Sequence, residues 1–278
     1  MDEAEAAPPG TTVPAQRGRL VLVPNALDHG AVAQELGAVL PRAALQWAAR
    51  LRHWLVEDAR SARAFLKRVD AVVPLEQPLQ SLAITELPRP PKGRRPGPPC
   101  EDSARDAATK ALLAPALDGN DIGLLSEAGL PAVADPGAAV VGAAHALGLA
   151  VLPLPGPSAL VLALAASGLD GQSFAFVGYL PQDAAARCER IRALEATSRR
   201  LKQTQIFIET PYRNNALLGS LLECAAAATR LSVSQALTLP EGSSRTASIG
   251  QWQRLHAAQP AQAPLLSDRL PAVFLLQA

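Results

Sequence analysis

Short apolar runs alternate with amphipathic stretches along this chain, and that alternation limits the possible folds more than any other feature. Residues 20–23, 53–56, 71–75, 122–125 and 150–154 form such runs, bounded by turn-forming residues. Runs of this length without polar alternation read as strands buried on both faces, and the stretches between them have room for crossover helices. A parallel sheet covered by helices is expected. After Pro155, Gly156 and Pro157 the pattern resumes, with candidate strands at 173–177, 205–208, 231–234 and 272–276. The 278 residues suffice for two ordinary domains. The expected organisation is a flexible polar tail over 1–17, an N-terminal α/β domain over 18–155 and a C-terminal α/β domain over 156–278.

The intervening helices have readable ends. Over 102–117, Ala104, Ala107, Ala108, Ala111 and Leu112 share one stripe, with Asp106 and Lys110 four apart on another face. Over 135–148, Asp135 is placed to cap, Pro136 to occupy the first helical position and Gly148 to end the helix. A helix over 158–167 should stop at Gly168, and Asp183 should cap a helix carrying Ile191, Leu194 and Leu201. Further helices are expected over 211–228 and around Trp252. Between 76 and 99 stand Pro78, Pro88, Pro90, Pro91, Pro96, Pro98 and Pro99, with Lys92, Arg94 and Arg95 among them. That stretch reads as an exposed loop with polyproline character; the alternative is a basic arm touching an anionic substrate, which the lack of interleaved aromatics disfavours.

Charge and motif content remove several chemistries. Lys plus Arg number 26 against 25 acids, a net charge of +1, so any contact with RNA must use a local patch. Arg187, Arg190, Arg192, Arg199, Arg200 and Lys202 offer one, although a solvated helix face would look the same. Cys100, Cys188 and Cys224 are odd in number and far apart, and are expected as thiols in a reducing compartment. The acidic, Pro-rich start has no apolar signal region, and the longest strongly apolar run, 159–166, is too short to cross a bilayer. A cytoplasmic protein is expected. There is no G-x-x-x-x-G-K-[ST], H-E-x-x-H, C-x-x-C or G-x-S-x-G, and no G-x-G-x-x-G follows the first strand. His29, His53, His145 and His256 are isolated, so no metal site is expected.

What remains concentrated is the stretch 123–137, reading G-L-L-S-E-A-G-L-P-A-V-A-D-P-G. It reads as a buried strand emptying into a small-residue loop and then a helix. In an open α/β sheet such loops lie where ligands bind, and small residues at Ala128 and Gly129 let a ligand approach the main chain. The stretch 153–159, P-L-P-G-P-S-A, repeats the strand-turn-helix logic, with Ser158 on spacing alone reading as a helix cap.

These two stretches, with Phe176-Val177-Gly178-Tyr179-Leu180-Pro181 and Phe207-Ile208-Glu209-Thr210-Pro211-Tyr212-Arg213, resemble the tetrapyrrole methylase superfamily of S-adenosylmethionine-dependent methyltransferases. Within it they are most similar to the bacterial enzymes that methylate a cytidine ribose 2′-hydroxyl in small-subunit ribosomal RNA. Glu57-Asp58-Ala59-Arg60 adds a partial match to that subfamily's E-D-T-R. The resemblance implies two α/β domains with S-adenosylmethionine in the cleft between them, a homodimer, and ribosomal RNA as partner. By position it implies that Ser126, Glu127, Ala128, Gly129 and Pro131 line the methionine and ribose part, that Pro157, Ser158 and Ala159 approach from the hinge, and that Gly178, Tyr179 and Leu180 face the adenine. Glu209 and Arg213 are implied at the cleft, and are equally readable as a structural i, i+4 ion pair.

The likeness has gaps. The subfamily's T-P-I-G-N appears as Pro24-Asn25-Ala26-Leu27-Asp28, with Asn25 at a different step; R-E-L-T-K appears as Gln235-Ala236-Leu237-Thr238-Leu239; a Lys-Gly-Glu appears as Arg269-Leu270-Pro271. The cofactor side is mostly retained while the substrate side is rewritten. A ribose hydroxyl is a weak acid whose proton needs a base. Asp58, Glu57 and Glu209 are the candidate carboxylates, with Asp58 first because it ends a buried strand; the alternative is that Asp58 caps the next helix. Methylation of a small molecule such as a tetrapyrrole, and a non-catalytic cofactor-binding paralogue, are the other functions compatible with the residues.

Overall fold

A computed structural model describes residues 17–28, 35–88, 103–258 and 264–278, with the side chains of 103–106 excepted. The tail to residue 16, His29, Lys92, Arg94, Arg95 and Cys100 lie outside the described residues. The first sheet comprises β1 (Arg19–Val23), β2 (His53–Val56), β3 (Ala83–Glu86), β4 (Ile122–Leu125) and β5 (Ala150–Pro153). Its order is β3-β2-β4-β1-β5, and every pairing is parallel. Around it run α1 (Arg42–Arg50), α2 (Ala59–Asp70), α3 (Ser103–Ala111), α4 (Ala114–Leu117) and α5 (Ala138–Ala146). Because successive strand side chains point to opposite faces, Val21, Val23, Trp54 and Val56 pack with α1 and α2, whereas Leu20, Leu55, Ile122 and Leu124 pack with α4 and α5.

The second sheet follows α6 (Ala159–Ser167), which ends at left-handed Gly168. It comprises β6 (Phe174–Tyr179), β7 (Thr204–Glu209), β8 (Arg230–Gln235), β9 (Ser243–Ser248) and β10 (Ala272–Gln277), in the order β6-β7-β10-β8-β9. Only β6 and β7 run parallel; β10 is antiparallel to β7 and β8, and β9 to β8. Phe207 and Phe274 stack with ring centres 5.9 Å apart on the face covered by α7 (Ala184–Leu201), α8 (Asn214–Cys224) and α9 (Ile249–Ala258). Ile206, Val273 and Leu275 meet α6 on the other. Asp183 caps α7 through the Ala186 N–H. No helix among the described residues is long and apolar enough to cross a membrane.

Several expectations are corrected. Residues 71–75 are not a strand: α2 runs to Asp70, and the Asp70 carboxylate accepts the Leu75 N–H to close a turn whose Val72, Val73 and Leu75 join the α1/α2 core. The strand that does pair with β2 is β3, inside the stretch expected to be loop; residues 89–99 of that stretch lie outside the described residues. The helix expected over 102–117 is split into α3 and α4, because Pro115 lacks an N–H and its ring excludes the carbonyl four residues back. Asp135 does not cap α5; Gly137, at φ 125°, precedes its first residue. Arg187 is partly spent within the fold, donating to Ser220 Oγ and to the Pro181 and Gln182 carbonyls.

Cys188 and Cys224, expected as separate thiols, are bonded to each other, with Cα atoms 5.6 Å apart. Sequence distance is uninformative here because α7 and α8 pack side by side and bring positions 36 residues apart into contact. Closing a loop of that size restricts the unfolded chain by about 3 to 4 kcal/mol. Reduction, or Cys188→Ser, is therefore expected to lower the melting temperature by roughly 6–12 °C in calorimetry. A melting point that ignores both reductant and substitution would show that the bond does not form in solution.

Candidate functional site at the seam of the two sheets

Parallel strands end on one edge of the first sheet, and the loops leaving β1, β2, β4 and β5 meet there. β1 and β4 are adjacent in space but far apart in sequence, and open α/β sheets hold ligands beyond the strand ends at such a switch point. Asn25 ties the two loops together there. Its Nδ2 donates to the carbonyls of Ser126 and Glu127 (3.1 and 3.0 Å), and its backbone exchanges hydrogen bonds with Gly129 in both directions. Nothing in the sequence motif marked Asn25 for that task; an amide immediately beyond a buried strand was the available signal.

The loop after β4 is bent by unusual backbone. Ala132 and Ala134 adopt φ of 65° and 63°, Gly129 70° and Gly137 125°. For alanine the left-handed region is sterically disfavoured, and such residues concentrate at functional loops. The bend delays α5 and brings Asp135 near Ser126, whose hydroxyl donates to the Ala128 carbonyl at 3.2 Å. A Cβ on Gly129 would stand 3.4 Å from the Pro157 carbonyl, so the hinge lies directly against this loop. Ser158 occupies the N-cap position of α6, yet its hydroxyl makes no capping bond. Pro131 and Gly129 are buried, Ala128 is half-buried and Glu127 exposed.

Three carboxylates converge on this edge. Glu57, immediately after β2, accepts the Glu127 N–H at 3.3 Å, and Glu127 accepts from Ser61 Oγ at 2.5 Å. Burial, with the charges of Asp135 and Glu127 behind it, pushes the Glu57 carboxyl up to about 7 against the opposing Glu127 N–H. Burial pushes Asp135 up to about 6; the nearby Ser126 hydroxyl opposes and the charge of Glu127 adds to it. None of the three ion pairs among the described residues includes any of these carboxylates. Nor, among those residues, does any cluster suit a metal ion.

Asp58 has a different occupation. Its Oδ1 accepts the N–H groups of Arg60 and Ser61, both at 2.9 Å, as the N-cap of α2. Glu209 is likewise engaged: one oxygen takes the Thr210 N–H, the Thr210 hydroxyl, and Nε and an Nη of Arg213, and the side chain is 2% exposed. A carboxylate so surrounded by donors is a firm anchor for Arg213.

The second sheet faces this cluster through Tyr179. Partial burial raises its phenol, with the charges of Glu209 and then Asp135 adding and that of Arg213 opposing, so Tyr179 lies within electrostatic reach of both halves. A bulge in β6 between Phe176 and Tyr179, with Gly178 at φ 73°, re-aims this strand end. A Cβ on Gly178 would meet nothing within 4 Å, so open space lies beside its backbone. Leu180 is buried and Tyr212, at 73% exposure, projects into solvent beside Arg213. On the rewritten segment after β8, Ala236 and Thr238 also hold positive φ, and Leu237, like Ala159, Leu160 and Ile208, packs against the buried cluster of α6, β7 and β10.

The family model for tetrapyrrole (corrin/porphyrin) methylases matches residues 59–252. The chain belongs to this family. As a tetrapyrrole methylase family member it is 38% identical over 149 residues to the ribosomal RNA small subunit methyltransferase I of Mesorhizobium japonicum, covering 54% of this chain and 49% of that protein. To the protein of the same name from Pseudomonas aeruginosa it is 45% identical over 105 residues, 38% of this chain and 35% of that one. The chain thus spans about half or less of the curated relatives it matches. A solved cobalamin-synthesis-related protein from Corynebacterium diphtheriae shares the fold, with a TM-score of 0.51 at 14% identity over 95% of this chain and 99% of that one. The matched segment of this methylase family member begins one residue after Asp58 and includes the β4 loop, the hinge and the β6 and β7 ends.

Proposed function

We propose that the chain is an S-adenosylmethionine-dependent methyltransferase acting on ribosomal RNA at a ribose 2′-hydroxyl, with its two domains dividing near Gly156. The observation that carries this reading is the set of unpaired carboxylates Glu57, Glu127 and Asp135 at a seam lined by open main chain; the relatives' name supports the acceptor. The donor set fits S-adenosylmethionine: half-buried carboxylates without a cationic partner suit a ligand bearing a sulfonium and an ammonium, and the open backbone at Gly178 suits a flat heterocycle. Ser126 to Gly129, with Pro131, would hold the methionine and ribose portion, Pro157 to Ala159 the hinge side, and Gly178 to Leu180 the adenine. When bound, that molecule supplies an activated methyl group, so the protein need only align an acceptor and remove its proton.

Glu57 is the group we assign as that base, in place of Asp58. It is near neutral in affinity for a proton, half-buried and held by a single long hydrogen bond, whereas Asp58 is committed to α2. Glu57 would accept the proton of the ribose hydroxyl as that oxygen takes up the methyl group. Arg213, anchored by Glu209, and the exposed Tyr212 and Tyr179 rings flank the acceptor side, where a base can stack. Transfer of labelled methyl from S-adenosylmethionine to unmodified small ribosomal subunits tests the reading. Label in ribose is the expected result; label only in a small-metabolite extract, or cofactor binding with no label anywhere, would reject it.

This reading carries a homodimer with it, and a cytoplasmic location in which the Cys188–Cys224 bond would be kept reduced. Supporting the homodimer, β6 is an edge strand exposing Phe174 and Phe176, with Val161 of α6 exposed as well. Sedimentation equilibrium at the mass of a single 29.0 kDa chain would exclude the dimer.

A further inference from the structure

The opposite edge of the first sheet, where its parallel strands begin, carries a second constellation. A cavity of about 620 Å³ opens there, lined by Arg17, Arg19, Arg50, Arg52, His53 and Asp121 among others. That volume lies within the range of small-ligand sites. Four arginines face two carboxylates, Asp121 and Glu76. Asp121 is already satisfied by Arg19, whose guanidinium grips it with bonds of 3.1 and 2.7 Å. Arg17 donates to the Leu147 carbonyl. Trp47 fixes two of the cations: the Arg50 guanidinium carbon lies 3.2 Å from its ring centre and that of Arg19 4.7 Å away. Arg50 and Arg52 are both exposed, and no hydrogen bond or ion pair among the described residues engages either side chain.

Such a group is unlike a solvated helix face. Its arginines come from the starts of β1 and β2 and the end of α1, converge on one concavity, and include two guanidiniums held in place on an indole. A rigid, planar cation with free N–H groups suits the tetrahedral oxygens of a phosphate better than a lysine does. The chain's charge of +1 supplies no overall attraction for a polyanion, so contact with one must be local.

We propose that this cavity is a phosphate-binding site that grips the backbone of the RNA substrate, one strand length from the acceptor cleft. The choice of RNA as the phosphate carrier rests on the function proposed above. A single strand bound across the sheet edge would be held by charge at one end of the strands and presented for reaction at the other, sequence-independently at the first point.

Arg50→Gln combined with Arg52→Gln tests it, using a short fluorescent single-stranded RNA titrated over a range of salt. Both side chains are exposed, and calorimetry with S-adenosylmethionine confirms that the cleft is intact. Losing two phosphate contacts should weaken RNA binding roughly tenfold at low salt and flatten the log–log salt slope by roughly 1 to 1.5. A matched loss of two exposed arginines elsewhere, Arg254→Gln with Arg245→Gln, should leave both quantities unchanged. RNA affinity and slope unaffected by the first pair overturn the proposal, even if inorganic phosphate still binds the cavity. RNA binding that depends on Arg50 and Arg52 in a chain that methylates no RNA upholds this site and removes the function above. RNA methylation with an unchanged KM after both substitutions does the reverse.

Discussion

Glu57→Gln is expected to reduce methyl transfer at saturating cofactor by about 10²- to 10⁴-fold, the usual worth of a positioned general base. Glutamine keeps the size of the side chain and its oxygen can still accept the Glu127 N–H, so the loop after β4 has no reason to move. What disappears is a proton acceptor whose affinity lies near 7. The comparison that gives the result meaning is Asp58→Asn. Asparagine caps helices about as well as aspartate, so α2 survives and turnover should stay within a few-fold of the parent. If the two effects are exchanged, the base is Asp58 and the cap is incidental.

The pH dependence supplies a second reading of the same group. A base must be deprotonated to act, so the rate should rise through about pH 7 as a single ionisation and then level off, and the step should vanish in Glu57→Gln. Stability should move the opposite way. Glu57 and Asp135 hold their protons more tightly folded than unfolded, so between about pH 4.5 and 7 the native chain binds more protons, and its stability falls as pH rises across that window. Thermal melts should decline from pH 5 to pH 7.5, less steeply in the Glu57 variant. An acidic cluster that weakens the free protein above neutrality while serving its chemistry there is a site at odds with local stability.

What the sequence displayed and what it concealed follow from where each element's information resides. Strands such as β1, β4 and β10 are buried on both faces, so their whole composition is constrained and visible. β3 and β9 are sheet edges; Ala83–Glu86 and Ser243–Ser248 carry no apolar run, and β9 is tied to β8 by hydroxyl contacts, Ser234 to Ser244 and Thr246 to Ser232. The loop at Ser126 to Pro131 was visible as small residues after a strand, but the turn of Asp135 away from α5 depends on left-handed Ala132 and Ala134, which no residue preference announces. Asn25, the Cys188–Cys224 pair and the arginine cavity share a different reason. Each joins segments 36 or more residues apart or from different strands, so each exists only once the sheet has been assembled.

The same dependence on assembly makes the hinge the most sensitive point outside the chemistry. Gly156→Ala is expected to destabilise the fold by about 3 kcal/mol, the upper part of the range for overpacking a filled site. A Cβ there would stand 2.2 Å from Pro24 Cβ and 2.6 Å from its Cγ, and a proline ring has no rotamer by which to yield. Relief requires the chain after β5 to separate from the chain after β1, and Pro24 is followed by Asn25, which holds the Ser126 and Glu127 carbonyls. The melting temperature should therefore fall by roughly 6–12 °C, and S-adenosylmethionine affinity should weaken with it, though the substituted residue is expected to touch no ligand. Gly142→Ala provides the contrast: it lies exposed inside α5 with nothing within 4 Å of the added Cβ, so alanine should be neutral or stabilising by up to about 1 kcal/mol. A Gly156→Ala protein that melts and binds cofactor like the parent would mean that the Pro24 contact does not hold the β1 loop in register with the hinge, and that the carboxylate cluster is positioned by the β4 loop alone.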